Sequence, residues 1–445
     1  MTGFHCTETT VSVHCFHNSI ESIRYCMVLL DAPHSCTEFC NIQNITTLSR
    51  NTCPILDVPL ITAMFNFINT IFHSGMIQYQ INQLTVDTTT VHGVTTLIKQ
   101  HIDSLNSFAS HFTSFVAHPI QYIQLHDSLE SGIYLSICIG LICWALSVPT
   151  RKYSWVDKLW SIVPIIFTLH WSLTIPYANK PQHIIEYIQY IIYNQPRVIL
   201  CVVLPLIWGT RLTYNFYRKG GYAFDAEDYR WVYVQKLPII GHPLVWQPFN
   251  FIFIGIYQIM LLMLITTPAY IVCTVASHNK SHAQPLNIYD YIITILWFMM
   301  YSIEVIADQQ QWSFYQRREQ YRSLSKYEQS RQSIQYGDES RGFYTGGLFQ
   351  YSRHPNFYAE QMLWAIYYLY SISAVTNGVI TSVYDIFNWS CIGCILLSLS
   401  IFQGSTSLTE NITAQKYPTY KLYQQSTSRL IPWFAGDQQW KQKTK

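Results

Sequence analysis

Seven apolar stretches of helix length, near 133–150, 159–176, 197–217, 249–273, 288–307, 358–376 and 387–404, constrain this chain more than any other feature. Each approaches the roughly 20 residues that cross a bilayer as a helix. In lipid every backbone polar group must be satisfied internally, so segments of this kind fold as packed helices. Several contain proline, glycine or a charge, which marks helices packed against one another and not simple anchors. The expected fold class is therefore all-α: a polytopic membrane helix bundle of about seven transmembrane helices, with a poorly structured N-terminal extension. Only 12% of the 445 residues are charged and 16% are aromatic; the charged share is about half that of soluble domains. A net charge of +2 gives no basic patch for a nucleic-acid partner.

Lysine and arginine fall almost entirely on one side of these spans. Arg151, Lys152 and Lys158 lie in one connection, Arg218, Lys219, Arg230 and Lys236 in another. Arg317, Arg318, Arg322, Lys326, Arg331, Arg341 and Arg353 follow, and Lys416, Lys421, Arg429, Lys441, Lys443 and Lys445 lie beyond the last span. The opposite loops hold little more than Lys180 and Lys280. The positive-inside rule puts the basic side, with the C-terminus, in the cytosol and the N-terminus in the lumen. That orientation fits the endoplasmic reticulum, although no retention signal stands at Lys443-Thr444-Lys445.

Four regions follow: a cysteine-containing tail over 1–55, an interfacial amphipathic segment over 56–130, a transmembrane catalytic domain over 131–435, and a polar tail over 436–445. Six of the twelve cysteines crowd into the first 53 residues, where Thr, His and Asn dominate and no sustained period is visible, so this tail reads as disordered. Cys391 and Cys394 have the local spacing of a zinc pair but sit in an apolar run without a second pair, so no metal site is expected there.

The residues able to do chemistry gather on the basic side. Glu304, Asp308, Gln311 and Tyr315 are spaced by four, three and four, which places them on one helical face. Ionisable groups at membrane depth face a protein interior or a water-filled cavity, so Glu304 and Asp308 are catalytic candidates. Arg211 is their expected counterpart; snorkelling to the headgroups is the alternative. Asp157 stands at a similar depth, and Glu227-Asp228-Tyr229-Arg230-Trp231 reads as a solvated turn or a site wall. The sharpest motif is Arg353-His354-Pro355-Asn356-Phe357-Tyr358-Ala359-Glu360. Pro355 suits the first helical position, with His354 at the N-cap. Free N–H groups and the helix dipole there favour an anion, to which Arg353 and His354 add donors. Asn356 and Glu360 share a face one turn deeper, completing a cradle for a phosphate-bearing cofactor. Lipid headgroup binding by the Arg-His pair is the competing interpretation. Glu410, just past the last span, is placed to close the site.

Taken together, Ser154-Trp155-Val156-Asp157-Lys158-Leu159-Trp160, Arg211, Glu227 to Arg230, Glu304 to Asp308, Gln310 and Tyr351 to Asn356 resemble an uncharacterised multispanning family related to the C-terminal domain of steroid 5-alpha-reductases. The resemblance covers about 130–435. The Arg-His-Pro-Asn element alone is also similar to the tail motif of isoprenylcysteine carboxyl methyltransferases and phospholipid methyltransferases. The resemblance implies a membrane enzyme that uses NADPH to reduce a conjugated C=C bond in a lipid or sterol-like substrate. It implies that Arg353, His354, Asn356, Glu360 and Arg211 hold the cofactor and that Glu304 and Asp308 complete the cavity. A tyrosine donates the proton in the characterised reductases; Tyr358 and Tyr229 are the candidates. The chain departs from the family's pattern at Phe357-Tyr358, where two aromatics stand in the opposite order, and one residue turns the phenol by about 100° around a helix. A methyltransferase using S-adenosylmethionine and a non-enzymatic lipid-binding scaffold remain as alternatives.

Overall fold

The computed structural model describes residues 11–16, 25–30, 106–174, 184–278, 285–333, 335 and 337–436. The chain divides into two units, Met1–Gln100 and His101–Lys445. In the first, two strands are described: β1 (Val11–Phe16) and β2 (Tyr25–Leu30) pair antiparallel, with Val11 opposite Leu30 and Phe16 opposite Tyr25. The alternation Val11-Ser12-Val13-His14 has the two-residue period of a strand, so part of the tail expected to be irregular is paired. The rest of 1–55, and 56–105 of the expected interfacial segment, lie outside the described residues.

The second unit is all-helical among its described residues. It begins with α1 (106–117), α2 (Pro119–Leu125) and α3 (Ser128–Thr150). There follow α4 (Val163–Thr174), α5 (Pro196–Arg218), α6 (Pro243–Leu264) and α7 (Thr267–His278). The last group is α8 (Ile288–Ser323), α9 (Pro355–Thr376), α10 (Trp389–Lys416) and α11 (Tyr420–Ser426). Among the described residues five helices are long and apolar enough to cross a membrane: α3, α5, α6, α8 and α10. The chain is a multi-pass integral membrane protein.

The expected count of seven spans is not reproduced, for physical reasons. The stretch near 249–273 divides: α6 ends at Leu264 and α7 starts at Thr267. Helices α4 and α7 have 12 residues each, about 18 Å, too short to cross alone. Helix α9 is long enough at 22 residues, but its face carries Asn356, Glu360 and several tyrosines. It needs no lipid-facing surface, because α5, α7 and α8 pack around it. Tyr367 and Tyr370 of α9 are wholly buried, and the Tyr367 hydroxyl donates to the Cys201 carbonyl of α5 at 2.6 Å.

The bundle is pinned at both ends. At the end opposite the basic loops, Arg197 at the start of α5 makes a fork to Asp290 at the start of α8, Nε to Oδ1 at 2.9 Å and Nη2 to Oδ2 at 2.8 Å. Asp290 is fully buried and also accepts from Ser373 of α9 at 2.8 Å. Asn287 and Asp290 form a reciprocal cap that fixes where α8 begins. These contacts leave α5 and α8 running parallel in a fixed register, which decides where the deeper polar residues meet.

Candidate functional site

Four turns further along the same two helices lies the polar cluster. Arg211 of α5 donates from Nη1 to Asp308 Oδ2 at 2.6 Å and from Nη2 to Glu304 Oε1. Asn215, one turn beyond Arg211, donates to Asp308 Oδ2 at 3.0 Å. Asn356, in the first turn of α9, reaches Asp308 Oδ1 at 3.2 Å. The guanidinium also stands 5.6 Å from the centre of the Tyr301 ring. Glu304 and Asp308 are 3% and 8% exposed, so an ionised pair here is shielded from water and depends on its partners. Two polar atoms in this buried network, Arg211 Nε and Glu304 Oε2, have no ordinary hydrogen-bond donor or acceptor among the described residues, with the Glu360 carboxyl beside Glu304.

Glu360 lies against the same cluster, close enough for its carboxyl to act on both Arg211 and Glu304. Its own oxygens are held by two indoles: Trp208 Nε1 donates to Oε2 at 2.8 Å and Trp364 Nε1 to Oε1 at 2.9 Å. The two indole rings stand edge to face at 5.0 Å. Gly209, beside Trp208, lets α5 approach the segment before α4: a Cβ there would stand 2.5 Å from the Ser161 carbonyl oxygen.

Of the sequence candidates, the structure brings together Arg211, Glu304, Asp308, Asn356 and Glu360. Pro355 takes the first helical position of α9 with His354 as N-cap, as the motif predicts. Arg353 and His354 point elsewhere. Arg353 donates from Nε to Glu410 Oε1 at 2.6 Å, from Nη2 to Oε2 at 3.1 Å, and from Nη1 to the carbonyls of Gln424 (2.9 Å) and Thr427. His354 Nε2 lies 3.0 Å from Glu410 Oε1. The expected anion cradle is thus filled by a carboxylate of the chain itself, carried in by α10. Tyr358 is half-buried on α9, and among the described residues no hydrogen bond joins it to the cluster. Gln311 is half-buried without a role in the cluster, whereas Gln310 accepts from the Leu348 N–H at 3.0 Å.

The turn at Gly347 makes that last contact possible. Its φ is +53°, and a Cβ there would stand 2.4 Å from Gln310 Nε2. Gly347→Ala is expected to lower stability by about 1–2 kcal/mol, the cost of the left-handed conformation to a residue with a Cβ, and to loosen the loop before α9. A melting curve in detergent checks it; an unshifted midpoint would show that the turn relaxes freely.

The 227–231 turn is built into the wall. Asp228 caps its short helix and pairs with Arg230, which also donates to Ser405 of α10 at 2.7 Å. Trp231 Nε1 donates to Asp157 Oδ2 at 3.0 Å. Burial pushes the Asp157 carboxyl up against the pull of Arg230. Burial acts the same way on Asp228, but its two-pronged bond with Arg230 outweighs it and holds that carboxyl below the usual range.

Sequence reasoning missed Asn215, Tyr301, Trp208 and Trp364. A signal for Asn215 exists: Arg197, Arg211 and Asn215 repeat the spacing of Asp290, Glu304 and Asp308, each pair 93 residues apart.

Two open cavities run along the outer side of α8. One, of about 500 Å³, is lined by Thr294, Ile295, Phe298, Met299, Ser302 and Ile303. The other, of about 440 Å³, follows it toward the basic end and is lined by Val305, Ile306, Gln309, Gln310, Ser313, Arg317 and Tyr344. An apolar stretch thus passes into a polar one with a guanidinium at its far end.

A family model described as protein of unknown function, DUF1295, matches residues 143–427. The chain belongs to this family. The match takes in every residue of the Arg211 cluster and leaves α1, α2 and the start of α3 outside. An uncharacterised protein of Schizosaccharomyces pombe, C594.04c, is 37% identical over 309 residues, which is 68% of this chain and 80% of that protein. No solved structure matches the chain.

Proposed function

We propose that this DUF1295 member is a membrane-embedded reductase that uses NADPH to reduce a conjugated C=C bond in a lipid or sterol-like substrate, with its active site and C-terminus in the cytosol, in the endoplasmic reticulum. The observation that carries the reading is the buried Arg211 cluster, in which one guanidinium meets Glu304 and Asp308 and a third carboxyl, Glu360, stands beside them. A cluster of this cost at membrane depth is characteristic of a functional site. A groove on the other side of α8 from the cluster suits an amphiphile, apolar between Thr294 and Ile303 and polar at Gln309 and Ser313.

The donor set fits the cofactor at the basic end of the groove. Arg317, which also pairs with Glu339, and Arg218, which bonds to Gln309 of the lining, bring the charge a phosphate needs; Gln309, Gln310 and Ser313 add hydrogen-bonding groups, and Tyr344 offers a ring face. Of the cofactor candidates read from the sequence, Arg211, Asn356 and Glu360 lie in the buried cluster on the inward face of α8 and do not line this groove, while Arg353 and His354 fix the start of α9. When bound, the dinucleotide supplies hydride to the β-carbon of the substrate.

The chain's own residues do the rest. Arg211 presents positive charge toward an oxygen that becomes enolate-like as the double bond is reduced. Glu304 and Asp308 hold the guanidinium in place. Tyr301, beside that cation, takes the role the sequence reading gave to Tyr358 or Tyr229: a phenol able to donate a hydrogen bond to the same oxygen. The indoles of Trp208 and Trp364 keep Glu360 turned toward the cluster.

Purified protein in detergent is expected to melt higher with NADPH than with NADH or S-adenosylmethionine, because a ligand that binds only the folded state stabilises it by RT ln(1 + [L]/Kd). Tyr301→Phe should keep that shift and lose turnover on an enone. A shift with S-adenosylmethionine alone would make the chain a methyltransferase, and no shift with any of the three would favour a lipid-binding scaffold.

A further inference from the structure

A second cluster lies outside the family match, near the other end of α3 from Thr150, about 30 Å along that 23-residue helix. Glu130 stands in the first turn of α3, His126 is the C-cap of α2, and His111 comes from α1. His111 Nδ1 is 3.0 Å from Glu130 Oε1, and His126 Nδ1 is 3.8 Å from Glu130 Oε2. All three ligating atoms lie within 4.8 Å of one another. Ligands about 2.0–2.1 Å from a tetrahedral zinc ion stand roughly 3.3 Å apart, so small side-chain rotations would close the set around an ion.

The three side chains are oriented by buried neighbours. The Tyr122 ring stacks on His126 with centroids 3.8 Å apart and planes 7° from parallel. The Tyr122 hydroxyl donates to Glu130 Oε1 at 2.9 Å and meets His111 Nδ1 at 2.8 Å. The Tyr134 hydroxyl donates to the same carboxylate oxygen at 3.1 Å. Both tyrosines are 3% exposed, set in an aromatic cluster with Phe115. A carboxylate steered by phenols, with two imidazoles converging on it, is the arrangement of a metal ligand set with its supporting shell. His111 and Glu130 are half-buried and His126 is exposed, so an ion could enter and keep a position for water.

We propose that His111, His126 and Glu130 form a binding site for a divalent transition-metal ion of the zinc class, with at least one coordination position left to solvent. Two imidazole nitrogens and one carboxylate oxygen suit such an ion and not calcium or magnesium, which take oxygen ligands. The ion would tie α1, α2 and α3 together at the end of the bundle remote from Arg211.

The test uses the full-length protein in detergent, stripped with a chelator and titrated calorimetrically with zinc chloride. Wild type and His118→Ala, which alters a neighbouring histidine outside the cluster, are expected to bind one tight equivalent. His126→Ala and Glu130→Gln should bind that equivalent at least about tenfold more weakly. Glu130→Gln retains a side-chain oxygen for Tyr122 and Tyr134, so its melting point without metal should match wild type, and its loss of zinc then reports ligation. Failure of wild type to take up zinc, or equal titrations in all four proteins, overturns the proposal. NADPH stabilisation should be the same in all four, which keeps this result independent of the reductase reading.

Discussion

Arg211→Ala is expected to destabilise the protein by about 3–5 kcal/mol, the cost of removing one partner from a buried ion pair, and to abolish any reductase turnover. Arg211 faces Glu304 and Asp308, with side chains 11%, 4% and 11% exposed, and among the described residues no other cation bonds to either acid. Without the guanidinium, only Asn215 and Asn356 still donate to Asp308, and Glu304 Oε1 loses its donor. Arg211→Lys should recover part of the stability, since it restores the charge but not the two-pronged geometry that reaches both acids. Glu304→Gln should fold, keep an acceptor for Arg211 and lose turnover. Melting curves in detergent with an enone assay separate these effects. An Arg211→Ala protein that melts like wild type would mean water reaches the cluster and solvates both carboxylates.

The helical, membrane-spanning character of the chain was legible because apolar length is a strong signal and the bilayer permits few alternatives. The number of spans was less legible. Hydropathy cannot see that α9 is central, nor that a turn at Ile265-Thr266 divides an apolar run into α6 and α7. The acids of α8 were legible as one stripe, and Arg211 as their partner, because charge at membrane depth is costly. Their register was written more deeply. From Arg197 to Asn215, and from Asp290 to Asp308, is eighteen residues, or about five helical turns, so two parallel helices anchored at Arg197–Asp290 must meet again at Asn215–Asp308. Tyr301, Trp208 and Trp364 were not legible, because an aromatic on an apolar helix gives no sign of which face it takes. Nor was the fate of Arg353: a cationic helix start reads as an anion site, and only the fold shows that Glu410 supplies the anion.

That last point sets the second large effect. Arg353→Ala is expected to cost about 3–5 kcal/mol as well and to release the C-terminal segment from Tyr420 to Trp433. Arg353 and Glu410 have side chains 8% exposed each, and the guanidinium also satisfies the carbonyls of Gln424 and Thr427. The surrounding strip laces the same two segments together. The Arg353 N–H donates to the Ser428 carbonyl at 2.8 Å, the Trp433 N–H to the Tyr351 carbonyl at 2.9 Å, and Ser352 Oγ to the Leu430 carbonyl at 2.7 Å. Loss of the side chain takes the Arg353 donor from the Gln424 and Thr427 carbonyls and leaves the Glu410 carboxylate to His354 and Gln424, so this strip should open first. Hydrogen exchange is expected to show lost protection over 420–433 while α5 and α8 stay protected. Glu410→Gln, which removes the charge but keeps an acceptor, should fall between wild type and Arg353→Ala. The measurement also decides what Arg353 is for. Were its guanidinium chiefly a cofactor ligand, Arg353→Ala would melt like wild type without ligand and lose only its response to NADPH. A clamp built on Glu410 instead lowers the unliganded melting point, because the contacts it loses belong to the chain itself.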